Sequence, residues 1–532
     1  MITETIIKYL FVNRLKNFIK NYWLIGLILF AGIFLRCYQF GSIPVPANQD
    51  ELSSGYESYS LLKEGTDRWG NKYPAYFLSW GSGQNVLQSY LSMPFVSQMG
   101  LNINSVRIVS LLINILTLPL FYFLLKKFSQ PEDMKSKIAF VGLAILAFSP
   151  WHFMMGRWAL ESNLLPFFIL WGIYALYEGL RTKSKLKIYF SLVPFALALY
   201  AYALSFFVIP IFLAIFLLLN FRKISLKHFS IAYIIFLVIS LPFLLFLIKN
   251  YITKTDFPFE ANLPFSIPLL DQTRLEQIQD GNLISIIIAN LKLFFNNFFD
   301  GFLSNMMSGP LRYISPIPLG IIGFLTIIFH LFKEKFYNRK KDLLFLFAIC
   351  SSVIFLLPLN MNRANILYLP VIGLFASSLV ALTQKYSKVF VPLAVIIFTL
   401  LGALFGNQYF NNYAEASAFD FNKGFDSALI ETEKIAKAEN IGNIFVTDNI
   451  RLNYIYYIYT KQLTPTQWRE HSVVEGVQVH QIDNYFFAQT AITKSNMDFI
   501  FLEKSKSNIP GYCKNPTILK EIDFWMIGKC ND

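Results

Sequence analysis

The chain has 532 residues, of which 55% are hydrophobic, 17% aromatic and only 15% charged. A water-soluble globule could not cover that much apolar surface, and repeated apolar runs near 20 residues point instead to a chain crossing a bilayer several times. A net charge of +13 would suggest a nucleic-acid partner in a soluble protein; here it fits basic cytoplasmic loops, and no nucleic acid is expected.

The first apolar run, WLIGLILFAGIFL (23–35), follows Lys8, Arg14, Lys16 and Lys20. No small-residue cleavage site separates it from the acidic stretch beyond, so it reads as a retained anchor with its N-terminus inside. Further runs fall near 105–125, 138–150, 163–180, 188–202, 205–221, 229–248, 316–332, 343–358, 366–384 and 389–406. That makes about eleven spans of roughly 20 residues. The weakest boundary is in 188–221, a nearly continuous run divided at Ser205.

Basic residues settle the parity. Lys126/Lys127/Lys135/Lys137, Arg181/Lys183/Lys185/Lys187, Arg222/Lys223/Lys227, Lys333/Lys335/Arg339/Lys340/Lys341 and Lys385/Lys388 fall in every second short loop. The alternate short loops carry only Arg157 and Arg363. The positive-inside rule then predicts a multi-pass protein of the plasma membrane, with a cytoplasmic N-terminus and an extracytoplasmic C-terminus.

Three long segments, 41–104, 250–315 and 407–532, are accordingly expected outside. In the first two, NVLQSYLSMPFVSQMG and LISIIIANLKLFFNNFF are too broken to span and read as interface helices, packing against the bundle being the alternative. The tail changes character. FNKGFDSALIETEKIAKAENIG and RLNYIYYIYTK have helical spacing, while NIFVTDN, MDFIFLEK and WMIGKC read as short strands. The expected division is a membrane domain, 1–406, and a small extracytoplasmic α/β domain, 407–532, of ordinary domain size.

Of the four cysteines, Cys37 and Cys350 lie at or in spans, where a thiol is usually a small apolar group. Cys513 and Cys530 are both in the external tail, flanking a segment that can fold back as a hairpin, and are expected to form a disulfide. There is no Walker loop, GxGxxG, GxSxG, HExxH or CxxC, so nucleotide hydrolysis, Rossmann binding and lipase-type chemistry lack their signatures.

The candidate chemistry sits in the loops on one side. PANQDELSSGYES (46–58) places Asp50, Glu51 and Glu57 just past the first span. Asn48 and Glu51 resemble a capping box, and acids in a first helical turn offset the macrodipole. Leu52, Tyr56, Tyr59 and Leu62 would form a lipid-facing stripe, with Asp50, Ser54 and Glu57 on the opposite face; on spacing alone an amphipathic cap accounts for the stretch. SPWHFMMGRWALESN (149–163) sets Arg157 and Glu161 four residues apart, a local ion pair in its plainest reading. LNMNRANILYLP (359–370) carries Arg363, and NSVRIVS carries Arg107, both readable as interface snorkelling. Charges at a membrane edge are nevertheless candidates for function.

These stretches together resemble the lipid-linked-sugar glycosyltransferases of the GT-C fold, closest to the protein O-mannosyltransferases and the bacterial aminoarabinose transferases. The likeness rests on the Asp50–Glu51 pair after the first span, GTDRWGNKYP (65–74), SPWHFMMGRWALESN, ALYAYALSFFVIP (198–210), NRANILYLP (362–370) and YFNNYAEASAF (409–419). It is diffuse and runs through all the spans. It implies a mainly α, polytopic fold and transfer of a sugar from a polyprenyl-phosphate carrier to an extracytoplasmic acceptor, with inversion at the anomeric carbon. Asp50 matches the base that takes the acceptor proton, Glu51 stands beside it, and Glu161 matches the family's second acidic site. Arg157, Arg363 and Arg107 are the candidates, in that order, to meet the developing phosphate charge. Where aminoarabinose-transferase-like relatives carry Lys-Pro-Pro, this chain reads SWGSGQNVLQSY, leaving Gln84 or Asn85 for a polar contact. YALSFF lacks the His and Arg of relatives at this turn; a divalent ion is compatible but neither metal nor cofactor is expected. The competing class, a transporter or flippase of lipid-linked sugars, would show paired broken spans in two halves, whereas Pro210, Pro242 and Pro358 are irregularly placed.

Overall fold

In the computed structural model, the described residues are 22–530 except 129–133, 274–281, 300–346, 489–497 and 505–508, and the positions 46, 80, 223, 348–349, 359–360, 420, 510–512 and 514. The basic N-terminal residues, the expected span 316–332 and the basic cluster 333–341 lie outside the described residues, as does part of the expected span 343–358.

The chain is mainly helical. α1 (Tyr22–Cys37) leads to α2 (Gln49–Glu64), α3 (Leu87–Met99), α4 (Ile103–Phe128), α5 (Lys135–Ala147), α6 (Pro150–Met155) and α7 (Leu165–Thr182). There follow α8 (Lys185–Tyr189), α9 (Val193–Ala201), α10 (Ser205–Asn220), α11 (Leu226–Ile248), α12 (Leu283–Phe299), α13 (Met361–Leu382) and α14 (Ser387–Gln408). Among the described residues five helices are long and apolar enough to cross a membrane, and α1 and α10 are apolar but shorter. The protein is thus a multi-pass membrane protein. The run 188–221 breaks at 202–204, where the Tyr202 N–H still bonds Ala198 but the next turn starts afresh at Ser205.

Helices approach closely where a side chain is missing. A methyl group at Gly172 on α7 would meet the Phe195 ring of α9 at 2.6 Å, and one at Gly402 on α14 would meet Phe148 at 2.6 Å. In lipid, where apolar burial gives no drive between helices, such small-residue contacts let dispersion hold the bundle together. Trp151, Phe121 and Phe195 are among the fully buried side chains of the main core.

The C-terminal part is α/β. α15 (Phe425–Ala438) precedes β1 (Asn443–Val446); α16 (Asn453–Lys461) and α17 (Pro465–Glu470) precede β2 (Ser472–Glu475), β3 (Gln478–Ile482) and β4 (Tyr485–Phe486). β5 (Phe499–Glu503), β6 (Pro516–Ile522) and β7 (Trp525–Cys530) complete one seven-stranded sheet of order β2-β3-β4-β1-β5-β7-β6. β1 runs parallel to β4 and β5; the outer pairs are antiparallel. The two helices and three strands expected in the tail all form. β2, β3 and β4 were not legible, β4 having only two residues, whereas β6, a mostly exposed edge strand, turns back onto β7 as the hairpin expected between the two cysteines. A disulfide joins Cys513 to Cys530, with the Cα atoms 5.6 Å apart.

α2 departs from expectation. Its residues from Glu51 to Ser58 are all buried, so most of both stripes is covered by protein, with Leu62 at the end of the apolar one exposed. The Leu52/Tyr56 face packs on α16, and the Tyr56 and Tyr59 hydroxyls donate to the carbonyls of Leu463 and Gln462 at 2.7 and 2.8 Å. The apolar stripe was real; what covers it is the α/β part, which spacing within one helix cannot reveal.

Candidate active site

The first turn of α2 positions the acidic pair. Asn48 caps the helix, accepting from the Glu51 N–H at 2.9 Å, while its own N–H donates to Glu51 Oε2 at 3.2 Å. The capping box read from the sequence is therefore present, and at the other end Gly65 closes α2 in the left-handed conformation, φ +69°. Glu51 does more than cap. Arg107, from the first turn of α4, donates to it through Nε at 2.7 Å and Nη2 at 2.8 Å, and the Ala159 N–H adds a fourth bond at 2.9 Å. All the lone-pair directions of the Glu51 carboxylate are occupied. Asp50, one residue earlier on the same turn, is half-buried.

The three arginine candidates separate. Arg107 also donates to the Pro44 carbonyl at 2.9 Å, tying the 41–47 segment to α4. Arg157 is fully buried and does not pair with Glu161; it donates to the carbonyls of Ile43, Arg36, Tyr38 and Gln39 at 3.1, 3.1, 2.8 and 2.6 Å. The rings of Phe153, Tyr409 and Phe410 surround its guanidinium, and burial lowers its pKa below the ordinary value. Arg363, in the first turn of α13, is half-buried and donates to the Pro358 carbonyl. The expected i, i+4 pair of Arg157 and Glu161 fails because the helix ends at Met155 and a separate 3₁₀ turn carries Glu161.

Glu161, half-buried, accepts instead from the main-chain N–H of Asn85. Asn85 is 1% exposed; its amide nitrogen donates to Leu199 O at 3.1 Å, and among the described residues its Oδ1 has no partner. Gln84 faces the other way, accepting from Ser53 at 2.9 Å and donating to Ser54 at 3.0 Å on α2. Asp50, Glu51, Arg107, Arg157, Glu161 and Arg363 thus all belong to one end of the bundle, where α1 finishes and α4, α7 and α13 begin.

Two supports were not singled out from the sequence. Arg36, at the end of α1, donates to Asn114 and to the carbonyls of Gly32 and Ala147, the latter two at 2.8 Å each, and meets His152 Nδ1 at 2.8 Å. An arginine closing an apolar run was a visible signal of such a role. Glu57, read as part of a polar face, forms a fully buried ion pair with Arg68. Arg68 also bonds Ser53 and, at 3.2 Å, the Tyr454 hydroxyl of α16; burial would lower its pKa, but Glu57 and Tyr454 raise it above the ordinary value. The partner, eleven positions along and in a loop, carried no periodic signal.

Residues 87–246 match the sequence model of the dolichyl-phosphate-mannose-protein mannosyltransferase family. No curated protein sequence matches the chain. Among solved structures, apo ArnT from Cupriavidus metallidurans is similar at 10% identity and a TM-score of 0.60, covering 97% of this chain and 98% of that one. ArnT from the same organism bound to undecaprenyl phosphate gives 11%, 0.59, 96% and 98%. The Archaeoglobus fulgidus oligosaccharyltransferase tethered to an acceptor peptide containing the NVT sequon gives 14%, 0.52, 92% and 70%. At such identities the structural likeness is one of fold. The resemblance to GT-C glycosyltransferases that the sequence motifs carried is borne out by both kinds of comparison.

Proposed function

We propose that this protein is an integral-membrane glycosyltransferase that moves a sugar from a polyprenyl-phosphate carrier to an extracytoplasmic acceptor hydroxyl with inversion. The observation that carries the reading is the division of labour in the acidic pair: Glu51 is fully buried and saturated by four donors that fasten α2 to α4, while its neighbour Asp50 is only half-buried, on the first turn of the same helix. Asp50 takes the acceptor proton, the freed oxygen attacks the anomeric carbon, and the bond to phosphate breaks on the opposite face. The prenyl phosphate leaves with the electron pair, and Arg363 meets its growing charge. Arg107 and Arg157 are positioning residues whose donors hold the 36–47 segment, and Glu161 with Asn85 orients the sugar.

The proposal includes the eleven-span count, the division into a membrane domain at 1–406 and an α/β domain at 407–532, and the topology. Reporter fusions after Lys187 and Lys341 are expected to read cytoplasmic, and one after Asn412 external; a cytoplasmic tail would remove Asp50 from the acceptor's side. The decisive measurement is transfer from a prenyl-phosphate-sugar donor by the purified protein. Asp50→Asn preserves size and helix-end geometry and should lower turnover by roughly 10²–10⁴, with donor binding retained. Near-normal turnover would return Asp50 to a role in the helix cap alone.

A further inference from the structure

A cavity of 520 Å³ opens at the carboxyl ends of β1 and β4. Asp448, Arg451 and Tyr454 follow β1, Gln478 comes from β3, Phe487 follows β4, and Gly81 from the first external segment closes the remaining side. β1 has parallel neighbours on both sides, so this is the point where strand order reverses, the place where α/β sheets bind ligands. The rim is held in place: Asn453 donates to the carbonyls of Thr447 and Phe487 at 2.8 and 2.9 Å, fastening the loops after β1 and β4 to each other.

We propose that this cleft binds the acceptor, and that the acceptor is a glycan of several sugar rings. The inference rests on the transferase reading above. Asp448, Arg451 and Gln478 are exposed at the cleft and present a carboxylate, a guanidinium and an amide, which suit the alternating donors and acceptors of vicinal hydroxyls. Tyr454 and Phe487, each 2% exposed, form the packed floor beneath these groups. The volume lies within the range of about 300–1,000 Å³ typical of small-ligand sites. A peptide adding to the sheet as a strand would need a free edge, but β3 and β4 beside the cleft are each paired on both sides. The location supplies the connection to chemistry. Gly81 is four residues from Asn85, whose N–H holds Glu161, so the cleft is within at most about 14 Å of chain contour from that contact. A glycan held in the cleft by its inner rings can extend its terminal hydroxyl toward Asp50.

The test uses the full-length protein. The probes are two- to four-ring oligosaccharides released by mild acid from the host's envelope polysaccharide, and a Ser/Thr-rich peptide. Arg451→Ala should raise the KM for the oligosaccharides about 10-fold with kcat within twofold, whereas loss of a merely structural contact would lower the yield of folded protein and leave KM alone. A photoreactive residue replacing Gln478 in native membranes should give an adduct that mass spectrometry identifies as glycan, and one replacing Lys520, far along the sheet, should not. A peptide adduct, an unchanged KM or no adduct would overturn the proposal. The wild-type protein should also release sugar slowly from the donor to water when no acceptor is present. Absence of that hydrolysis would count against the transferase reading itself, separately from the cleft.

Discussion

Glu51, where α2 meets α4, and Glu503, at the end of β5, are both completely buried, and their surroundings are opposite. Glu51 accepts four hydrogen bonds, two of them from the guanidinium of Arg107. Among the described residues, neither oxygen of Glu503 has a partner in hydrogen-bond geometry. Burial pushes the Glu503 carboxyl up to about 7, the nearby Thr447 hydroxyl, Lys504 N–H and Asn449 side chain offsetting part of the shift and Asp448 adding to it. The contrast teaches what burial alone leaves open. A sealed carboxylate with a matched cation and main-chain donors is a structural strut, while one without them resists ionisation and weakens the fold whenever pH forces it.

The sharpest way to break the comparison is to unpair Glu51. From the sequence, Glu51→Gln looks mild, because glutamine still serves as the N3 partner of a capping box. The structure reverses this: glutamine keeps the cap but leaves Arg107, 1% exposed, without its counter-charge. Removing one partner of a buried pair costs about 3–5 kcal/mol. Thermal unfolding followed by size exclusion in detergent should show the loss. The double variant Glu51→Gln/Arg107→Gln should lose less than the sum of the singles. Additive losses would mean that the pair does not hold α2 to α4.

The same contrast explains how much could be read from the chain beforehand. The long apolar helices and the capping box rest on local rules of hydropathy and helix ends, and both were legible where the structure describes the residues. The tail strands with continuous apolar runs, NIFV and FIFLE, were legible because burial on both faces leaves a compositional mark. Pairings across long separations left none. Arg107 to Glu51 spans 56 positions and Tyr56 to Leu463 spans 407, so the functions of α2's two faces became visible only in three dimensions. Arg157 was the converse: an arginine suitably placed for phosphate, whose bonds go to four carbonyls because the 36–43 segment folds around it.

The disulfide gives a second, smaller test, since it fastens the far end of the strand that lies beside β5, the strand that carries Glu503. Cys530 ends β7, whose Met526 is the register partner of Glu503 on β5. Opening a loop of 17 residues should cost about 3 kcal/mol in the chain-entropy account. Cys513→Ser or mild reduction should therefore loosen the β5–β7 region, seen as faster amide exchange there, while exchange in α4 and α7 is unchanged. Labelling of both thiols in the native protein without reductant would show that the bond does not form.

The least effect is expected at Glu503 itself, and its direction depends on pH. The carboxyl has an ordinary value of 4.5 and is raised to about 7 when folded. Below 4.5 it is neutral in both states and contributes nothing. Between 4.5 and about 7 the unfolded chain releases its proton while the folded one keeps it, so stability falls as pH rises, and above 7 the full penalty persists. Glu503→Gln retains the shape without the charge. It should stabilise the protein by about 1–3 kcal/mol at pH 8 and by much less at pH 5. Melting curves of wild type and variant that stay parallel across this range would show that Glu503 finds a partner when it ionises, and that the two buried carboxylates are alike after all.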